Sequence, residues 1–119
     1  MANEISVSAS IEVNNGNFRI SFSSGAVRVD QTTATGGNPG VVEIGTSEET
    51  VSFGDVTPGL VWMRNLDATN FVTWGNTTGN LAQKLAPGGV PTLVEINSGS
   101  LIMQADTAAC NVQIIGVSP

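Results

Sequence analysis

The chain has 119 residues, of which 40% are hydrophobic, 12% are charged and 14 are glycine; that length fits one domain, and the charge share is well below that of ordinary soluble proteins. Val, Ile, Ser, Thr, Asn and Gly take the places that helices fill with Ala, Leu, Glu, Lys and Arg, so the composition predicts an all-β chain and excludes a disordered or helix-rich one. The net charge of −6 leaves four basic residues, Arg19, Arg28, Arg64 and Lys84, and no histidine, which excludes a surface that neutralises nucleic-acid phosphates and every nucleophile that depends on a histidine base.

In chain order, Ile5, Val7, Ala9, Ile11 and Val13 alternate with polar or charged neighbours, the period-two pattern of a strand with one buried face. Asn14-Asn15-Gly16-Asn17 supplies residues that tolerate positive φ, and Phe18, Ile20 and Phe22 resume the alternation, so residues 4–22 are predicted to form a hairpin. Val27 and Val29 mark a short strand. Residues 31–40 carry Thr, Gly, Asn and Pro with almost nothing apolar, which predicts the longest surface loop. Apolar runs follow at 41–44, 51–53, 60–66, 71–74, 81–85, 92–96, 101–105 and 110–117, separated by turn residues at 55–59, 76–79, 86–89 and 97–99. That spacing predicts roughly ten short strands in a single β-sandwich domain over residues 1–119. Its expected core holds Val7, Ile11, Phe18, Ile20, Leu60, Leu66, Phe71, Leu85, Leu93, Ile96, Leu101 and Ile114.

The chemistry-bearing residues are sparse. A glycosidase needs two facing carboxylates, but Glu4 and Glu12 alternate outward, Glu48-Glu49 fall in a polar turn, and Asp55, Asp67 and Asp106 occupy turns where carboxylates bond to backbone amides. No Asp-x-Asp-x-Asp-Gly run offers a calcium loop, and the Gly36-Gly37-Asn38-Pro39-Gly40 cluster has neither the lysine nor the following helix of a phosphate loop. No catalytic residue, cofactor or metal site is therefore expected. Cys110, the single cysteine, is expected as a small buried hydrophobe. Trp62 and Trp74 lie inside apolar runs, so core packing is expected, with one of them left for an interface or a sugar-stacking platform. No basic segment followed by an apolar block marks a secretion signal, and no apolar run nears the ~20 residues of a membrane span.

The segments Asn65-Leu66-Asp67-Ala68-Thr69-Asn70-Phe71-Val72, Lys84-Leu85-Ala86-Pro87-Gly88 and Ala105-Asp106-Thr107-Ala108-Ala109-Cys110 stand out. Physically they read as a turn supported by the Asp67 and Asn70 side chains, a Pro-Gly hairpin turn, and a strand end before the last strand. Over about residues 54–117 they resemble small virion proteins of tailed bacteriophages. The resemblance implies a jelly-roll-like β-sandwich and a non-enzymatic capsid decoration, or cement, protein. It would form a homotrimer on the outer capsid surface, bridge major capsid proteins and stabilise the mature head after synthesis in the host cytoplasm. Direct contact with nucleic acid or membrane is not implied. Decoration, neck and tail proteins share such sandwiches, so a neck or tail component is an alternative, as are a carbohydrate-binding virion module built on Trp62 or Trp74 and a glycan hydrolase or lyase. Residues 2–10 and the loop at 31–40 are the attachment candidates.

Overall fold

The alternation does give strands, twelve of them and no helix, across residues 4–31, 34–54, 56–97 and 100–118, which a computed structural model describes. Contacts divide the chain into two compact units, one ending at Ala34 and one spanning Thr35–Ser118. The sandwich expected over residues 1–119 is built by the second.

The first unit contains β1 (Ile5–Val7), β2 (Ser10–Asn15), β3 (Phe18–Ser23) and β4 (Val27–Val29). Strands β2 and β3 pair from Ser10↔Ser23 to Asn15↔Phe18 around a two-residue turn in which Gly16 has φ 59°, a conformation that costs glycine nothing. Strands β1 and β4 pair from Ile5↔Val29 to Val7↔Val27. Between the two ladders one side carries Ser8 and Ala9 and the other Ser24, Gly25 and Ala26, so one extra residue shifts the register as in a β-bulge. Ser24 secures the shift: its N–H donates to the Ala9 carbonyl at 3.0 Å and its hydroxyl accepts from the Ala9 N–H at 3.1 Å. The predicted hairpin thus forms with a break. Ile11 and Phe18, expected in a core, are exposed, and Val7 and Ile20 are half-buried, because each of these sheets has only two strands.

The second unit contains β5 (Gly36–Ile44), β6 (Glu49–Thr50), β7 (Leu60–Asn65), β8 (Val72–Gly75), β9 (Gln83–Leu85), β10 (Pro91–Glu95), β11 (Ile102–Ala105) and β12 (Cys110–Val117). They form two four-stranded antiparallel sheets, ordered β10-β7-β12-β5 and β6-β11-β8-β9. Counted from the first strand of this unit, the orders are 6-3-8-1 and 2-7-4-5, the double Greek key of a jelly roll. Inward residues of β5, β7 and β12 (Ile44, Val61, Met63, Val112, Ile114) meet those of β8, β9 and β11 (Val72, Trp74, Leu85, Met103, Ala105) in one apolar cluster. Of the residues expected inside, Leu85, Leu101 and Ile114 are fully buried, and Leu60, Phe71 and Ile96 are half-buried. Leu66 and Leu93 are exposed. Parity explains both: Leu66 follows the inward Asn65, and Leu93 is paired with the outward Trp62.

Two expectations are corrected here. Residues 36–40 are not loop but the first half of β5, which follows β12 from Cys110↔Ile44 to Val117↔Gly36. Local propensity is overridden by the long partner strand, and Pro39 is tolerated because β5 is an edge strand. Residues 32–33 of the expected loop lie outside the described residues. The run 51–53 is not a strand, yet Val51 and Phe53 are buried, with the Val51 N–H donating to the Leu101 carbonyl at 2.8 Å. Phe53 lies over Gly116, where an added Cβ would come within 2.7 Å of the ring, so this close approach requires glycine.

The burial pattern makes a direct prediction. Met103→Ala lowers unfolding free energy in urea titrations by ~2–5 kcal/mol, the range for truncation of a fully buried side chain. Leu93→Ala, on the outward face, changes it by only ~0.5 kcal/mol; equal losses at the two positions would contradict the assigned faces.

Candidate interaction surface

The three segments singled out in the sequence converge in space. Asn65 ends β7 on an inward position and is fully buried. Its amide nitrogen donates to the carbonyls of Asn70 (2.7 Å) and Leu85 (3.4 Å), and its amide oxygen accepts from the Asp67 N–H at 3.0 Å. One Asp67 carboxylate oxygen accepts from the N–H groups of Asn70 (2.6 Å) and Thr69 (3.0 Å), the geometry of an Asx turn. Those two N–H groups, Asn70 first, hold the Asp67 carboxyl below the usual carboxylate range. The Gly88 N–H reaches the Asp67 carbonyl and the Gly89 N–H that of Asn65, at 2.8 and 2.9 Å, while the Thr107 hydroxyl donates to the Asn70 side chain at 2.8 Å. The expected turn roles of Asp67 and Asn70 are present. Asn65 has no functional signal of its own in the sequence, but it shares the inward parity of Val61 and Met63.

Cys110 completes this end of the sandwich. Its buried thiol lies 3.5 Å from the Ala108 carbonyl and 3.7 Å from that of Asn70, and burial, then the charges of Asp67 and Asp106, push the thiol's pKa up. That environment favours the unreactive protonated form. The other carboxylates with described contacts also bind backbone: Glu48 accepts from Gly79 N–H, Glu49 from Gly45 N–H and Glu4 from Gln31 N–H, all within 3.1 Å. Asp55 lies outside the described residues. Among the described residues no three Cys, Asp or Glu side chains gather as a metal-ligand set. The Glu49 contact closes a local turn, and those of Glu48 and Glu4 tie segments distant in sequence; none of them pairs two carboxylates.

The two tryptophans part company. Trp74 is buried in the core, and its ring N–H has no partner among the described residues. Trp62 is half-buried on the opposite side of its sheet, with the Arg64 guanidinium over its ring at 5.6 Å, a cation–π distance. The Arg64 Nε also donates to Gln113 Oε1 at 2.8 Å.

The outward faces of the two sheets are unlike. On the sheet of β8, β9 and β11 the outward row is Lys84, Thr73 and Gln104, and the Gln104 amide donates to the Thr46 carbonyl at 2.8 Å. On the other sheet, registers align Leu93, Trp62, Ile115 and Pro39 across all four strands. Leu60 and Val117 are paired on the same face, with Val41 exposed beside the row. This row is apolar across all four strands, and the next row on the same face carries Arg64 and Gln113. No family model, curated protein or solved structure matches this chain.

Substitution at the turn tests its energetics. Asn65→Leu lowers stability by at least ~2 kcal/mol, since it strands a buried carbonyl and a buried N–H. Because the Asp67 pKa is lower in the folded chain, its stabilisation is full above the ordinary carboxylate range and is lost as pH falls through the folded value. Urea midpoints measured from pH 7 downward therefore fall less steeply for Asp67→Asn than for the wild type; parallel curves would contradict the assignment.

Proposed function

We propose that this chain is a non-enzymatic structural protein of a tailed-bacteriophage virion, a capsid decoration or cement protein that bridges major capsid proteins on the outside of the mature head. The observation that carries the reading is the apolar ladder Leu93–Trp62–Ile115–Pro39 crossing a jelly-roll sheet. It offers a broad contact surface where an enzyme would offer a cleft with converging polar groups. The segments that resemble phage virion proteins support the same reading, because they meet in the hydrogen-bonded turns around Asn65 that hold the sandwich together. The acidity of the chain, −6 overall, suits the outer surface, since packaged DNA would repel it.

The mechanism is mass action. A protein that binds only the assembled shell stabilises that shell by its binding free energy, and many copies across capsomer boundaries raise the barrier to rupture together. A homotrimer fits a three-fold position on such a shell and closes exposed strand edges. Trp62 also favours a second reading, a carbohydrate-binding virion module, because it is the tryptophan on an outward face; a glycan array separates the two.

Particles lacking this protein are expected to assemble with normal DNA content, to release DNA at a lower temperature than wild-type particles, and to recover when purified protein is added back. Heat-stable heads that are tailless or non-infectious would instead assign the chain to the neck or tail.

A further inference from the structure

We infer that the β2–β3 ribbon is a self-association surface, occupied by the same ribbon of further copies of this chain packed around a symmetry axis. Pairing places Ile11 opposite Phe22 and Val13 opposite Ile20 on one face, with Phe18 at the turn end, and puts Ser10/Ser23, Glu12/Ser21 and Asn14/Arg19 on the other. The ribbon is therefore amphipathic, with Asn15 the one polar residue on the apolar face, and that face is open at Ile11 (63%), Phe18 (55%) and Phe22 (66% exposed), while Val13 and Ile20 are half-buried. A two-stranded ribbon is marginal in water until something covers its apolar face. The ribbon pairs with no third strand among the described residues, so both of its edges offer backbone groups for pairing.

Charge selects the occupant. The unit ending at Ala34 carries three acids against Arg19 and Arg28, whereas Thr35–Ser118 carries seven acids against Arg64 and Lys84. Copies that meet through their sandwiches oppose strong like charge; copies that meet through the ribbons do not, since Glu12 and Arg19 both lie on the far face. Size selects the arrangement. Six residues at ~3.3 Å give a ribbon ~20 Å long, and one such face is well short of the ~800 Å² per partner of a standard interface. Ribbons closed on an axis, each touching two neighbours, cover both the apolar faces and the free edges.

This inference adds a surface to the proposed shell protein and is tested on the purified chain without particles, so its failure and that of the shell reading are separate results. Sedimentation equilibrium of the full chain is expected to give three times 12.2 kDa or a higher integer multiple, and a monomer or dimer mass would overturn the closed arrangement. Ile11→Ser combined with Phe22→Ser is expected to weaken association at least tenfold, and Glu12→Gln on the opposite face is expected to leave it unchanged. Both tryptophans lie in the second unit, so unchanged tryptophan emission shows that the sandwich remains folded in each variant. Phe22→Cys is expected to cross-link between copies on oxidation, because the native thiol of Cys110 is buried. A wild-type monomer at submillimolar concentration, an unchanged mass for the double variant, or no cross-link above the wild-type background would each overturn the inference.

Discussion

A fully buried primary amide has to be satisfied within the protein, and Asn65 imposes that requirement where the two sheets of the jelly roll meet. Its backbone belongs to β7 in one sheet; its side chain reaches carbonyls at the entry to β8 and the end of β9 in the other. The chain between can satisfy it only by folding back at once, which the Asp67 carboxylate accomplishes by gathering the N–H groups of Thr69 and Asn70. The turn at Gly88 and Gly89 then closes on the carbonyls of Asp67 and Asn65. The segments around Asn65, Asp67 and Gly88 are thus the ones that fix how the two sheets join.

With the sheets joined, the core takes one face of each and leaves two outward faces that differ in their central rows. One is polar, with Lys84, Thr73 and Gln104 in line; the other carries the ladder through Trp62 and Ile115. The carboxylates of Glu4, Glu48, Glu49 and Asp67 accept from backbone N–H groups, and the cysteine is buried.

Much of the fold was legible in the sequence because a half-buried strand writes its burial as a period of two. That is why 60–66, 71–74, 92–96, 101–105 and 110–117 fall on β7, β8, β10, β11 and β12 almost residue for residue. Pattern identifies an apolar face but not what covers it: Ile11 and Phe18 alternate as well as Val112 and Ile114 do, yet only the latter have a second sheet above them. Glycine and proline mark loops by propensity, so β5 at 36–40 was hidden until its partner β12 was known. Asn65 was hidden for a different reason. Its parity with Val61 and Met63 is visible, but a polar residue at an inward position reads as a strand end until the carbonyls that satisfy it are located.

The shell role proposed for this chain is tested most sharply by a density map of the intact particle. Density for a jelly roll of this size is expected on the outer surface of the head, in many copies, at boundaries between capsomers and with the Trp62 face or the β2–β3 ribbon in contact. Density confined to the neck or tail, or a particle with no such density, would contradict it.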